Sequence, residues 1–279
     1  FQFRYLLLEL SRSGCLTNHR SASHTLANSG NSSVFFSGFK RVYLHFCSQK
    51  QITTLELILD NPIWNALNTG NRKSANGGDR AKWVNRDMGA FAGLKENSVE
   101  NLMRLYEMTP VETPVVLFVP GEIIIPAEWQ ILVKKPLLQM VYPHKYAPTS
   151  GVEVIALTEE NIPAMLSLTA LTEPGPFLQR TIDFGNYRGI FEGERLVAMA
   201  GQRLQPSPYI EISAVCTHPA YLGKGYAGML VGNQIHDILK KSCIPFLHVL
   251  PENIGACRLY EKLGFEVRRE MVCYVLKRG

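Results

Sequence analysis

Gly223-Lys224-Gly225 stands between two segments of opposite character. Before it, Glu211-Ile212-Ser213-Ala214-Val215-Cys216-Thr217 closes a β-prone run from Tyr209 and reads as a strand. After it, Tyr226 to about Lys241 carries apolar residues at helical spacing, with His218 to Gly225 left as the turn between. Two glycines separated by one residue permit a tight turn and the close approach of another group to the backbone. The helix that follows points unpaired N–H groups and the positive end of its dipole at whatever lies in front of it, and both favour a phosphate. The turn is not a Walker loop, because Gly-x-x-x-x-Gly-Lys-Ser/Thr is absent, and it is not a Rossmann fingerprint, because the strands before it alternate poorly with helices. Alone, such a turn is more often an ordinary chain reversal.

The flanking pattern places this turn in a larger unit. Val154 to Leu157 is strand-like, and Thr158 opens a helix to Leu171, with Glu159 and Glu160 in its first turn. Strands are expected over Tyr187 to Glu192, Arg195 to Arg203 and Tyr209 to Thr217, then over Ile244 to Val249 and from Phe265 to Leu276. Ile254 to Leu263 reads as a short helix stopped by Gly264. Upstream, Val99 to Met108 is an amphipathic helix, Pro114 to Pro120 brackets a buried strand, and Trp129 to Val133 and Leu137 to Tyr142 read as two more strands. The Pro/Ser/Thr/Gly-containing stretch from Pro143 to Gly151 reads as a linker. Residues 151–279 are therefore expected as one domain and 51–145 as a smaller α/β domain. Residues 1–50 hold six basic residues against the single acid Glu9, a bias like that of a transit peptide or an adventitious extension, and are expected to be poorly ordered. The order of elements implies an α/β (α+β) fold with a mixed, mostly antiparallel central sheet flanked by helices.

Composition narrows the function. A net charge of +5 in 279 residues is mild and scattered, which disfavours a nucleic-acid binder. No apolar run reaches the roughly 18 residues of a membrane span, so no membrane partner is expected. Six cysteines show neither Cys-x-x-Cys spacing nor a Cys/His cluster, so no metal is expected and free thiols in a cytoplasmic setting are the simplest account.

Asn253-Ile254-Gly255-Ala256-Cys257-Arg258-Leu259-Tyr260-Glu261-Lys262-Leu263-Gly264-Phe265 resembles the Asn-x-x-Ala-x-x-Leu-Tyr-x-x-x-Gly-Phe segment of the GNAT superfamily of N-acetyltransferases, with every fixed position filled. The glycine turn, roughly thirty residues upstream, resembles the same superfamily's Arg/Gln-x-x-Gly-x-Gly/Ala motif, with Leu222 standing where Arg or Gln is usual. The resemblance covers roughly residues 152 to 279. Leu59 to Leu67 and Leu137 to Val141 further resemble a bacterial two-domain subgroup whose N-terminal half is a degenerate GNAT-like domain.

The resemblance implies acyl-CoA-dependent transfer, with acetyl-CoA as cosubstrate and an amine attacking its thioester directly. Tyr260 then supplies the proton to the departing thiolate, and Glu211 is the candidate base, with a carboxyl pKa raised by partial burial. Val215, Cys216 and Thr217 present backbone groups to the pantetheine arm, Leu222, Gly223, Lys224, Gly225, Tyr226 and Ala227 cradle the pyrophosphate, and Asn253 contacts the cofactor or simply caps its helix. Strand alternation would put Glu211, Ser213, Val215 and Thr217 on one face. A Cys216–His218 nucleophile–base pair is set aside, because no third group is indicated to orient it. The loop Leu171 to Phe177 lies where the acceptor pocket falls in the superfamily. The acceptor is a small-molecule or peptide amine, and the protein a monomer or homodimer. The alternative is a non-catalytic acyl-CoA-binding or sensing module.

Overall fold

The computed structural model describes residues 57–148 and 154–279, so the expectation for residues 1–50 lies outside the described residues. Helix α1 (Pro62–Asn68) starts on a proline, whose missing N–H is harmless at that position. Three short strands, β1 (Ala75–Gly77), β2 (Ala81–Val84) and β3 (Ala92–Leu94), form an antiparallel sheet of their own. Helix α2 (Val99–Met108) follows, capped by the Ser98 side chain, which accepts the Asn101 N–H. Next come β4 (Pro114–Val119), β5 (Trp129–Val141) and β6 (Ile155–Ala156). A Thr158–Asn161 capping box and a 3-10 turn lead into α3 (Ile162–Thr172). The remainder is β7 (Arg188–Glu192), β8 (Arg195–Gln202), β9 (Tyr209–Thr217), α4 (Tyr226–Lys240), β10 (Ile244–Val249), α5 (Ile254–Leu263) and β11 (Glu266–Arg278).

Strands β4 to β11 make one sheet in the order β4-β11-β5-β10-β9-β8-β7-β6. Every neighbouring pair is antiparallel except β9 and β10. This is the mixed, mostly antiparallel sheet expected from the sequence. Helices α3 and α4 cover it: Leu196 and Met199 of β8 pack under α3, while Val197 and Ala200 pack under α4. Val231, Ile235 and Ile238 of α4 are sealed against Met140, Ile210 and Leu247, each such side chain contributing about 1.5–3 kcal/mol.

The two sequence segments on either side of residues 145–151 share this sheet. Strands β4 and β5 hydrogen-bond to β11, and β5 also pairs with β10. One difference from the sequence reading is instructive: the two expected strands at 129–133 and 137–142 are a single 13-residue strand running through Pro136. Proline has no N–H to give a ladder. It is tolerated because β10 pairs only with Leu138 to Val141, so Pro136 sits where one edge of β5 has no strand beside it among the described residues.

Candidate active site

That open edge has a counterpart across the sheet. Strands β9 and β10 pair only from Tyr209 to Glu211 against Ile244 to Phe246, and then they part. From Ile212 to Thr217 the β9 edge facing β10 has no strand beside it among the described residues, so its backbone groups are available to a ligand. The gap is a cavity of roughly 860 Å3, a size ordinary for a small-molecule site.

A bulge sharpens this edge. The β8–β9 register slips by one residue between Met199–Cys216 and Gly201–Ser213, and Ala214 sits there with φ of 52°, a left-handed conformation that costs a non-glycine residue about 1–2 kcal/mol. The slip breaks the alternation expected along β9. Val215 turns into the cluster under α4, and Cys216 joins Met165 and Met199 under α3. Glu211 therefore does not share a continuous face with Val215 and Thr217.

At one end of the cavity lies the glycine turn. Gly223 and Gly225 have φ of 80° and 79°, so both glycines are required by the backbone. No side chain caps α4, whose first turn faces the cavity through Tyr226, Ala227 and Gly228. Leu222 leaves its side chain 67% exposed at the rim. Lys224 lies 4.8 Å over the Tyr221 ring and 3.7 Å from Glu192, and Tyr226 donates its hydroxyl to Glu192, so the turn is pinned to the β7–β8 hairpin. Thr217 lines the same space with a buried Oγ1 that has no hydrogen-bond partner among the described residues. These features fit a pantetheine and pyrophosphate group: glycine turn, uncapped helix start, open strand edge and orphaned hydroxyl all face one space.

Helix α5 forms the wall opposite β9. The Asn253 side chain accepts the Ala256 N–H at 3.1 Å, which makes it the N-cap, and Asn253 also lines the cavity. Tyr260, one helical face on, is 8% exposed and stacks edge-on against Phe265. Burial, with a small contribution from Cys257, pushes its phenol up to about 12, so it carries its proton at neutral pH.

Glu211 departs from expectation. It is fully buried, and Arg203 grips it with two hydrogen bonds, Nε at 2.8 Å and Nη2 at 2.7 Å. Leu204 N–H and His248 Nδ1 also donate to it, at 3.2 and 2.7 Å. Burial alone would raise its pKa, but the charge and hydrogen bonds of Arg203, helped by His248, outweigh that and hold the carboxyl at about 2. The expected raised pKa is thus corrected to a lowered one, and a carboxylate so well satisfied is a poor base. The chain of bonds continues: Gln139 Nε2 lies 3.0 Å from His248 Nε2 and donates to Leu59 O, while Gln139 Oε1 accepts from Arg268. With the amide oriented by those two partners, Gln139 presents its NH2 to His248 Nε2, and His248 presents Nδ1 to Glu211.

Cys216 and His218 do not pair. Burial raises the Cys216 thiol to about 11, and His218 is engaged with Ala220 N–H and Arg195.

At the other end of the cavity the sequence pointed only to the Leu171 to Phe177 loop, which does line it. Phe91, Val116, Phe118, Val133, Leu137 and Val275 wall it, with Lys135, Arg203 and the 173–176 loop at its margins. Gln139 could have been noticed as a lone polar residue inside an apolar strand run. Phe91 and Val275 become neighbours only through the sheet order. Among the described residues, no three His, Cys, Asp or Glu side chains cluster as a metal site, and no helix is long and apolar enough to cross a membrane.

The FR47-like protein family matches residues 187–275. A structure of a protein assigned to the GNAT acetyltransferase family, from Novosphingobium aromaticivorans, is 31% identical, with a TM-score of 0.75, over 80% of this chain and 99% of that one. A GCN5-related N-acetyltransferase from Kribbella flavida shares the fold at 15% identity, with a TM-score of 0.53, over 78% of this chain and 95% of that one. No curated protein sequence matches. Since the Novosphingobium protein is similar over 80% of this chain, and the FR47-like match contains the glycine turn and the splayed strands, the chain belongs to the GNAT family of acetyltransferases.

Proposed function

We propose that the protein is an N-acetyltransferase that moves the acetyl group of acetyl-CoA to a primary amine by direct attack. The observation that carries this reading is that the glycine turn, the open edge of β9 and Tyr260 all line one cavity. Gly223, Lys224, Gly225, Tyr226 and Ala227, with the backbone of Leu222, hold the pyrophosphate through N–H groups and the α4 dipole. The backbone of Val215, Cys216 and Thr217 holds the pantetheine arm as an added strand would, and Asn253 flanks it from α5. Bound acetyl-CoA supplies the activated acyl group. Backbone N–H groups at the Ala214 bulge polarise the acyl oxygen, and Tyr260 donates its proton to the departing sulfur. Glu211 acts as a positioning residue that fixes Arg203 and His248, and the proton of the attacking amine leaves through water.

Four free cysteines among the described residues favour a reducing, cytoplasmic setting. The acceptor is a small molecule or a short peptide, which suits a cavity end walled by Phe91, Val116, Phe118, Val133, Leu137 and Val275. A binding-only sensor is the second reading, favoured by the exposed Leu222 and by the lack of a basic Glu211.

The test uses the whole chain. CoA should raise its melting temperature, since a ligand of the folded state must stabilise it, and acetyl-CoA with an amine panel should release free thiol. Stabilisation without release from any amine would establish the sensor. No stabilisation at millimolar CoA would remove both readings.

A further inference from the structure

Arg203 does more than its ion pair requires. Its Nε and Nη2 are committed to Glu211, which leaves Nη1 with no hydrogen-bond partner among the described residues. The atom is not sealed off, and Arg203 lines both the main cavity and a small side chamber bounded by Phe91, Pro174, Gly175, Ser213 and Ala214. The guanidinium stacks on aromatic faces, 4.7 Å from the Phe91 centroid and 5.6 Å from Phe118, so packing fixes where Nη1 points. Beside it runs the apolar wall of Val116, Val133, Leu137 and Val275.

We infer that the acceptor is an amino acid or close analogue with an apolar side chain, its carboxylate bound by Arg203 Nη1 and its side chain lying on the wall formed by Phe91, Phe118 and Val116. This rests on the acetyl-transfer reading and adds the substrate class. A guanidinium donor in a walled chamber selects an anion over a neutral group, because its hydrogen bond to a charged acceptor is about twice as strong. The side chamber touches Ser213 and Ala214, so a carboxylate held there stands beside the backbone bulge where the acyl group is placed.

Two paired comparisons on the full-length protein test this. In thiol release from acetyl-CoA, L-phenylalanine should exceed L-phenylalaninamide at least tenfold in kcat/KM, although the less basic amine of the amide would favour it on reactivity alone. In titrations of the CoA-bound protein, 3-phenylpropanoate, which has no amine, should bind at least tenfold tighter than 3-phenylpropanamide. Arg203→Lys, which keeps a charge opposite Glu211, should shrink both preferences below about threefold. The wild-type comparisons stand if that variant does not fold. Equal or better performance by the amides, no binding of either analogue, or an Arg203→Lys loss shared equally by both acceptors would overturn the carboxylate subsite. Selective binding of 3-phenylpropanoate with no acetylation of any amine would uphold the subsite and remove the transfer reading.

Discussion

Replacing Glu211 with glutamine asks whether this carboxylate does chemistry or holds the sheet together. The substitution keeps the shape but removes the charge facing Arg203, and it puts an amide NH2 where one oxygen accepts hydrogen bonds. Four donors converge on that carboxylate: Arg203 Nε and Nη2, Leu204 N–H and His248 Nδ1–H. Breaking one partner of a buried pair costs about 3–5 kcal/mol, because the other charge is left uncompensated. In a chain of this size each kcal/mol moves Tm by about 2–4 °C, so a fall of about 6–20 °C is expected by calorimetry. Arg203→Met in the Glu211→Gln background removes the orphaned charge and should recover at least half of the loss. The pH dependence has a fixed sign. The folded carboxyl at about 2 lies below its usual 4.5, so the pair's stabilisation is present above about 4.5 and is lost as pH falls towards 2. The gap between wild type and Glu211→Gln should therefore close over that window. A variant melting within 2 °C of wild type but inactive would refute the structural role and return Glu211 to the chemistry.

Tyr260→Phe should lower kcat at least tenfold, the scale of a lost general acid, with KM for acetyl-CoA within about twofold; an unchanged kcat in steady-state thiol release would dismiss Tyr260 as the acid. Gly225→Ala forces a Cβ into a backbone with φ of 79° at a cost of about 1–2 kcal/mol, and should weaken CoA about tenfold, read as a smaller ligand-induced Tm shift. Ala214→Val puts a β-branched residue at φ of 52° and should cost about 1–3 kcal/mol in urea unfolding; no change in the midpoint would mean the bulge relaxes at no cost.

The features the sequence announced are those written in neighbouring residues. The glycine turn, the helix from Tyr226, the Asn253 cap and the Gly264 stop, with its φ of 101°, each depend on contacts within a few positions. The features it hid depend on partners far away. Pro136 looks like a strand break unless one knows that β10 leaves that edge of β5 open. Ala214 carries no mark of a bulge, since alanine fits an ordinary strand as readily. Glu211 read as a surface or catalytic acid because Arg203, eight residues before it, and His248, 37 residues after it, meet it only once β8, β9 and β10 are aligned. A charge in an apolar strand signals that something buried must answer it, but the identity of the answering residue is a property of the sheet order.

The placing of β11 between β4 and β5 also bears on how the chain is made. When β5 leaves the ribosome, the strand that will join it to β4 lies more than a hundred residues downstream and has not been synthesised. Until then the apolar faces of β4 and β5, Val115 to Val119 among them, have no sheet to enter. Such non-local closure is slow and leaves sticky edges waiting. A nascent chain paused after residue 141 is thus a client for holding factors, and synonymous changes that slow translation between β5 and β11 should lower soluble yield without altering the finished protein.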